Sequence, residues 1–203
     1  MAVYKFEDFA KSLGFGKKAN KSEVEDARAW MRDAASEITQ ISGNQFMAQN
    51  KANLVNNLTM KSIGRMYMFF YDPKHKETLP YYDRFPLIFL ISVDGEGFTG
   101  INLHYLSPLL RAKLMDALYA LLNNVRYDET TKLKLTYRLL ASSRKFRLIK
   151  PCVKRYLTVH TKSRFLQIPV TSWDTALFLP TERFVGATKQ QIFRESRDIA
   201  YGH

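Results

Sequence analysis

Acidic, basic and histidine side chains are densest between residues 72 and 104 of this 203-residue chain. Carboxylates and lysines near strands are the residue types with which metal-dependent nucleases hold a cation and activate water. That chemistry needs an acid, then a second acid two residues before a lysine on the following strand. Here Phe98 stands two residues after Glu96, so the motif is absent. A nuclease using Asp72, Asp83 and Glu96 therefore remains an alternative that lacks its signature.

The histidines and the single cysteine offer little else for catalysis. His75 and His104 have no partner at metal-ligand spacing, and no adjacent acid suggests a proton relay. His104 stands in an apolar run, which predicts a core histidine, and Cys152 is predicted to be a buried thiol rather than a nucleophile. No GKS or GKT sequence marks a phosphate-binding loop. We expect no catalytic residue, no metal and no cofactor, and hence a protein that is not an enzyme.

Positive charge is the strongest chemical signal in the sequence. The chain has 31 Lys+Arg against 19 Asp+Glu, a net charge of +12. Residues 130–164, the basic segment, contain 11 Lys and Arg and no acid. Apolar and aromatic residues alternate with these charges, so the segment should be folded and hold its cations in fixed places. Such a concentration predicts a polyanionic partner, most often nucleic acid.

Contacts to phosphate are expected because no base-reading motif is present. The residues expected to bind DNA are Lys132, Lys134, Arg138, Arg144, Lys145, Arg147, Lys150, Lys154 and Arg155, with Tyr137 or Tyr156 stacking on a base. Two alternatives stay open, namely an acidic protein neighbour and a basic face that meets only solvent.

The segment from residue 72 to residue 86, the contact loop, is unusually aromatic for a connection. It places Pro80, Tyr81 and Tyr82 next to each other and ends near Phe85. One interpretation is that the loop folds back to cover the sheet. The other is that it forms a contact surface for a subunit or for nucleic acid, through Asp72, Lys74, Tyr81, Tyr82 and Arg84.

The elements that would position these residues indicate an α+β fold. Aromatic and apolar runs predict strands at 65–71 and 87–93, and Asp94-Gly95-Glu96-Gly97 predicts a hairpin turn into a strand ending at Leu106. Helices are predicted from Ser22, from Ser107-Pro108 and from Thr188. Residues 132–136 alternate like a strand, and further strands are predicted at 153–160 and 163–169. The sheet should be small, mainly antiparallel, and strongly bent or closed into an SH3-like barrel.

Two parts of the chain differ in character. Residues 1–60 are predicted to form an arm and a helical extension, and residues 61–203 an α+β core domain that contains the basic segment. No run of about 18 apolar residues predicts a membrane span, so no membrane partner is expected. Charges near the first residue argue against a signal peptide. A single cysteine excludes an internal disulfide framework.

Four stretches of this sequence resemble a known family. They read MYMFFYDPKHK at 66–76, LPYYD at 79–83, FPLI at 85–88 and GINLHYL at 100–106, with a weaker similarity at 163–165 and 173–180. Together they resemble the T4-like DNA end protector, or head-completion, proteins of tailed bacteriophages.

The resemblance implies a non-enzymatic virion protein. Such a protein would bind the ends of packaged double-stranded DNA and shield them from host exonuclease during head completion. Combined with the basic segment, this predicts that Tyr137 or Tyr156 stacks on the terminal base pair. The protein would reside in the virion, and in the host cytoplasm during assembly, beside other virion subunits. A structural neck or baseplate adaptor that binds other virion subunits is the alternative.

Overall fold

The structure is a computed structural model that describes residues 45, 48, 50–123, 125–178 and 181–201. The predicted arm and the helix predicted from Ser22 lie outside these residues. Within them, helices and antiparallel strands are mixed, so the α+β prediction is confirmed.

Six strands form the main sheet, in the order β1-β7-β2-β4-β5-β6, and all pairings are antiparallel. A separate two-stranded sheet pairs β3 with β8. The strand bounds are β1 Leu54–Val55, β2 Met66–Met68, β3 Tyr82–Asp83, β4 Leu87–Val93, β5 Gly97–Asn102, β6 Val153–Leu157, β7 Phe165–Ile168 and β8 Phe184–Val185.

The main sheet is strongly bent. Phe98 of β5 and Phe165 of β7 are three places apart in the sheet order, yet their ring centroids lie 5.4 Å apart. A flat sheet would separate them by roughly 14 Å, since neighbouring strands lie about 4.8 Å apart. Phe69 contacts both rings, at 5.3 Å each, so an aromatic cluster fills the concave face.

The bent sheet is not closed. Its edge strands β1 and β6 do not pair with each other, so the SH3-like barrel is not confirmed. The chain after β6 instead crosses to β2, where the amide of Asp72 donates to His160 O at 3.1 Å and Tyr71 bridges to Thr161.

In the described range 50–201, four α-helices accompany the sheet, at α1 Pro108–Leu122, α2 Glu129–Ser143, α3 Trp173–Phe178 and α4 Lys189–Tyr201. Residues from all four pack with β2, β4 and β5 in one apolar core. No helix of the described ranges is long and apolar enough to cross a bilayer.

Arg111 of α1 holds several of these elements together. Its buried guanidinium donates to the backbone carbonyls of His104, Leu106 and Leu177 and forms an ion pair with Glu182 at 3.0 Å. Glu182 also accepts from Lys189 of α4 at 2.8 Å. The pair therefore connects α1 to the start of α4.

Most sequence-based elements are confirmed, with corrections at three places. The strand predicted to end at Leu106 ends at Asn102, whose side chain accepts from the His104 amide and starts a 3₁₀ turn at Leu103–Tyr105. The strand predicted at 153–160 ends at Leu157, before a 3₁₀ turn at Thr158–His160.

The hairpin forms because Asp94 Oδ1 accepts from the amides of Glu96 and Gly97, and α4 begins after the predicted capping box of Thr188 and Gln191. The strand-like alternation at 132–136 was misleading, because these residues lie in α2. Asp128 caps that helix by accepting from the amide of Thr131 at 2.7 Å.

Candidate nucleic-acid interface

One face of α2 carries exposed cations. Lys134, Tyr137 and Arg138 are exposed, whereas Leu139 and Leu140 are buried in the core. Positions three and four residues apart share one face of a helix, so Lys134, Tyr137 and Arg138 form a single stripe. This stripe is accessible to a partner along its whole length.

A compact turn extends the positive surface beyond α2. Arg144, Lys145, Arg147 and Lys150 are exposed around the buried residues Leu148 and Ile149. Three backbone hydrogen bonds fix the turn: Phe146 N donates to Ser143 O at 2.8 Å, Ile149 N to Phe146 O at 3.0 Å, and Cys152 N to Ile149 O at 2.8 Å. The charges are therefore held on a folded scaffold, as the interleaved pattern predicted.

Six exposed cations of the helix and turn stand apart from the ion pairs of the described residues. None of them forms an ion pair with a carboxylate in the part of the chain that the structure describes. We call them the free cations: Lys134, Arg138, Arg144, Lys145, Arg147 and Lys150.

The other predicted DNA contacts are placed differently. Lys132 is half-buried in α2. Arg155 of β6 is exposed, but its guanidinium forms a bidentate ion pair with Asp94 in the hairpin turn, with Nη2 at 2.8 Å from Oδ1. Lys154 is half-buried, and its Nζ lies 4.3 Å from the ring centroid of Tyr105. Only cations with no such partner offer their full charge to a ligand.

The burial of Tyr156 contradicts one prediction. This residue is only 4% exposed, because its ring packs between Phe69 and Phe98 in the aromatic cluster. Its hydroxyl accepts from Asn102 Nδ2 at 3.1 Å. A ring in this position cannot stack on a base pair at the surface, so the stacking role proposed for Tyr156 is wrong. Tyr137 is 39% exposed and stays a candidate.

The contact loop is partly cover and partly surface. Phe85 is buried and stacks on Phe70, with ring centroids 4.4 Å apart. Lys74 and Arg84 are exposed, whereas Tyr81 and Tyr82 are half-buried. The remaining loop residue of the prediction, Asp72, forms an exposed ion pair with Lys76 at 3.2 Å.

A cavity of about 290 Å³ joins this loop to the end of the basic segment. The loop supplies one wall through Lys74, Tyr81 and Tyr82, and β6 supplies the other through Lys154 and Tyr156. The full lining is Tyr71, Pro73, Lys74, His75, Leu79, Tyr81, Tyr82, Asp83, Tyr105, Lys154, Arg155, Tyr156 and Leu157. Two stretches that the sequence singled out separately therefore meet at one place.

A buried polar network fixes the floor of this cavity. Asp83 Oδ2 accepts from Asn102 Nδ2 at 3.1 Å and from His104 Nδ1 at 2.6 Å, and Asp83 Oδ1 accepts from the Phe85 amide at 3.0 Å. Burial alone would raise the pKa of Asp83, but the charge of His104 and these hydrogen bonds lower it below its usual value. Asn102 in turn holds the Tyr156 hydroxyl.

Lys154 brings a positive charge into the same cavity. Burial lowers the pKa of its ammonium group, and the described residues place no carboxylate in an ion pair with it. Its contact with the face of Tyr105 is a cation–π interaction, which offsets part of the cost of removing the ammonium from water.

Comparison with known proteins connects this arrangement to a family. The family model of the phage T4 terminal DNA protecting protein matches residues 18–197. The chain belongs to this family. The match covers the contact loop, both walls of the cavity and the whole basic segment. No curated protein and no solved structure matches the chain.

Family membership confirms the resemblance seen in the loop and hairpin sequences. The family is named for terminal DNA protection, which agrees with the function that the resemblance implied. No observation favours the adaptor or the nuclease. Among the described residues, no group of three or more His, Cys, Asp or Glu side chains could hold a metal ion.

In this member of the terminal DNA protecting family, the acids of the nuclease hypothesis have separate roles. Asp83 is buried against His104, Asp72 pairs with Lys76, and Glu96 is exposed on the hairpin turn. They belong to a buried network, a surface ion pair and a solvent-facing turn.

One arrangement that sequence reasoning missed resembles a proton relay. Oγ1 of Thr181 lies 3.3 Å from Nε2 of His104, whose Nδ1 contacts Asp83. The order hydroxyl, imidazole, carboxylate is that of a serine-type nucleophile. All three side chains are buried, at 0%, 0% and 3% exposure, so no substrate carbonyl reaches the hydroxyl. The relay therefore serves structure, as the core assignment of His104 predicted.

Proposed function

We propose that this protein binds the ends of packaged double-stranded DNA in the virion and protects them from host exonuclease during head completion, without catalysis. The observation that carries the proposal is the set of six free cations on a fixed scaffold in a chain of the terminal DNA protecting family. Other virion subunits would be its neighbours in the particle.

The free cations support phosphate contact more than they support solvation. Six positive charges that form no ion pair among the described residues repel one another, and a polyanion would remove that repulsion. Both Arg and Lys are present, so phosphates can be bound by bidentate guanidinium groups and by single ammonium groups. Tyr137 lies within the same stripe and offers a ring next to the cations.

Salt dependence tests this proposal quantitatively. Six neutralised phosphates predict a slope of about −5 for the logarithm of the association constant against the logarithm of the salt concentration. Affinity for a linear duplex should then fall by about a thousandfold between roughly 50 and 200 mM salt. Fluorescence anisotropy with a labelled blunt duplex measures both quantities. Absence of binding at low salt would refute the proposal and favour an adaptor that meets protein subunits.

End protection needs its own assay. The protein should slow digestion of linear duplex DNA by an exonuclease, and it should bind linear DNA more tightly than a closed circle of the same sequence. A circle bound as tightly as the linear form would show a general DNA-binding protein without selectivity for ends.

A further inference from the structure

The free cations leave one property of the proposed function without a structural basis. Phosphate contacts are identical along a duplex, so they bind an interior stretch as well as an end. Selectivity for ends requires a feature that only a terminus can satisfy. The cavity between the contact loop and β6 offers such a feature.

The size of the cavity suits one small chemical unit. Its volume of about 290 Å³ lies at the lower limit of ligand pockets, which range from about 300 to 1,000 Å³. A B-form duplex is far too wide to enter such a space. One nucleotide at the end of a strand has no neighbour on one side and can leave the stack.

Aromatic rings dominate the lining of the cavity. Five tyrosines take part, and two of them, Tyr81 and Tyr82, are half-buried and reach the solvent. The other three, Tyr71, Tyr105 and Tyr156, are buried and form its inner surface. Stacking of bases on aromatic rings tolerates any sequence, because every base has a π face. This suits a protein that must accept whatever sequence terminates the genome.

The charges that face the cavity favour an anion. Lys74 stands at the rim and Lys154 in the wall, and neither forms an ion pair among the described residues. The charge of Arg155 is compensated by Asp94.

The acids near the cavity are both engaged. Asp83 is held by His104, Asn102 and two backbone amides. Glu195 interacts with the Tyr81 hydroxyl, which helps to raise the pKa of that tyrosine above its usual value after the larger effect of burial. Glu195 also interacts electrostatically with Lys154. Lys74, exposed in the cavity lining, therefore contributes the positive charge that no ion pair of the described residues offsets.

The free cations lie within reach of the same DNA end. Lys150 is the last of them, and a 3₁₀ turn, Lys150–Cys152, leads directly into β6. Four residues of chain span at most about 14 Å, so the Cα atoms of Lys150 and Lys154 are no farther apart than that. Phosphates repeat every 3.4 Å of axis along each strand. A duplex end at the cavity therefore lies alongside the basic turn.

We propose that this cavity receives the terminal nucleotide of one DNA strand, with the base against Tyr81 and Tyr82 and the phosphate at Lys74 and Lys154. The inference rests on the proposed binding of DNA ends and supplies its selectivity. A closed circle has no terminal nucleotide and gains only the contacts to the free cations. An unpaired terminal nucleotide should bind more tightly than a paired one, since the cost of unpairing is absent.

A fluorescent base tests the proposal directly. The full chain is titrated with a duplex that carries 2-aminopurine at the terminal position, unpaired, or at an interior position. We expect the terminal probe to change its fluorescence on binding and the interior probe to stay constant. We also expect a one-nucleotide overhang to bind at least about fivefold more tightly than a blunt end, within the range that one stacked base contributes.

Matched variants separate the cavity from the basic surface. Tyr82→Ala should abolish the terminal signal and remove the preference for linear over circular DNA, whereas Tyr82→Phe should keep both. Lys74→Glu reverses a charge at the exposed rim and should also abolish the terminal signal and the preference for linear DNA. Lys51→Glu, at the opposite edge of the sheet, is its control and should keep both. Binding of circular DNA reports folding, and it should stay within about twofold of wild type in Tyr82→Ala.

The outcomes distinguish this inference from the proposed function. If the wild type protects linear DNA while the terminal probe does not respond, the cavity proposal is wrong and the end-binding function stands. The same holds if Tyr82→Ala and Lys74→Glu keep the full preference for ends. A wild type that binds no DNA at low salt would overturn both.

Discussion

The carboxylate of Asp83 lies 2.6 Å from Nδ1 of His104, and both side chains are buried beneath the cavity. The two residues are 21 positions apart in the sequence, one in β3 and the other just after β5. Through Asn102 the pair also orients the hydroxyl of Tyr156. The pair thus connects the contact loop to the hairpin and to β6.

We expect Asp83→Asn to destabilise the fold by about 3 to 5 kcal/mol, because it leaves a buried polar cluster without its anion. Urea unfolding followed by circular dichroism measures the change. Asp72→Asn is the control, since its ion pair with Lys76 is exposed and should contribute no more than about 1 kcal/mol. Equal effects of the two substitutions would contradict the structural role of the Asp83–His104 pair.

Stability should fall in acid because of Glu182. Burial would raise the pKa of this carboxyl, but His104, Arg111 and Lys189 lower it from 4.5 to about 2. A lowered pKa means that the folded state favours the ionised form. The stabilisation is complete above pH 4.5 and is lost as the pH falls toward 2, and it amounts to about 3 kcal/mol.

The variant Glu182→Gln isolates this contribution. It should be less stable than wild type at neutral pH, and the difference should shrink near pH 3, as followed by urea unfolding at each pH. Glu96→Gln, on the exposed hairpin, should follow the wild-type curve. A difference that does not change with pH would show that Glu182 acts through packing rather than through its charge.

Gly97 is required where β5 meets β6. A Cβ at this position would overlap the backbone carbonyl oxygen of Tyr156, and backbone cannot move aside as a side chain can. Gly97→Ala should therefore destabilise the fold by about 1 to 3 kcal/mol, as overpacking does. Gly95→Ala, two residues earlier in the turn, meets no atom within 4 Å and is the matched control. The midpoints of thermal unfolding compare the two.

The salt dependence of DNA binding should reveal how many of the free cations contact phosphate. Replacing Lys134 and Arg138 together with alanine should reduce the magnitude of the salt slope by about 2 and weaken binding equally for all sequences. The double variant Lys51→Ala with Lys61→Ala removes the same charge outside the basic segment and should leave the slope unchanged. Equal loss in both variants would indicate that only the net charge of the protein matters.

The thiol of Cys152 should be unreactive in the folded protein. Cys152 is the only cysteine, it is fully buried, and burial raises the pKa of its thiol to about 12. At neutral pH almost no thiolate is present, so a disulfide reagent should react only as the chain unfolds. Absorbance of the released thiol in buffer and in denaturant measures this. Rapid reaction in buffer would contradict the buried assignment.

Features that depend on neighbouring residues were predictable from the sequence. The hairpin follows from the side chain of Asp94 capping its own turn, and α4 from the capping box of Thr188 and Gln191. The strand prediction for residues 132–136 was wrong because lysine and leucine alternate there over only five residues. That stretch is too short to distinguish the two-residue period of a strand from the 3.6-residue period of a helix. The deciding signal was Asp128, a strong N-cap residue just before them.

The cavity could not be predicted, because its walls come from distant parts of the chain. Lys74 and Lys154 are brought together only by the pairing of β4, β5 and β6 and by the segment that crosses back to Tyr71. Tyr156 was misassigned for a related reason. Successive residues of a strand face opposite sides, and the sequence of β6 does not tell which side is buried.

The two parts of the interface differ in how freely they can vary. The free cations are exposed, so exchanging one of them costs the fold little. The cavity shares Tyr105 and Tyr156 with the apolar core, and substitutions there endanger folding itself. Under the proposed function, single surface substitutions would change the lifetime of the complex with DNA, whereas a change in end selectivity would also require changes in the core.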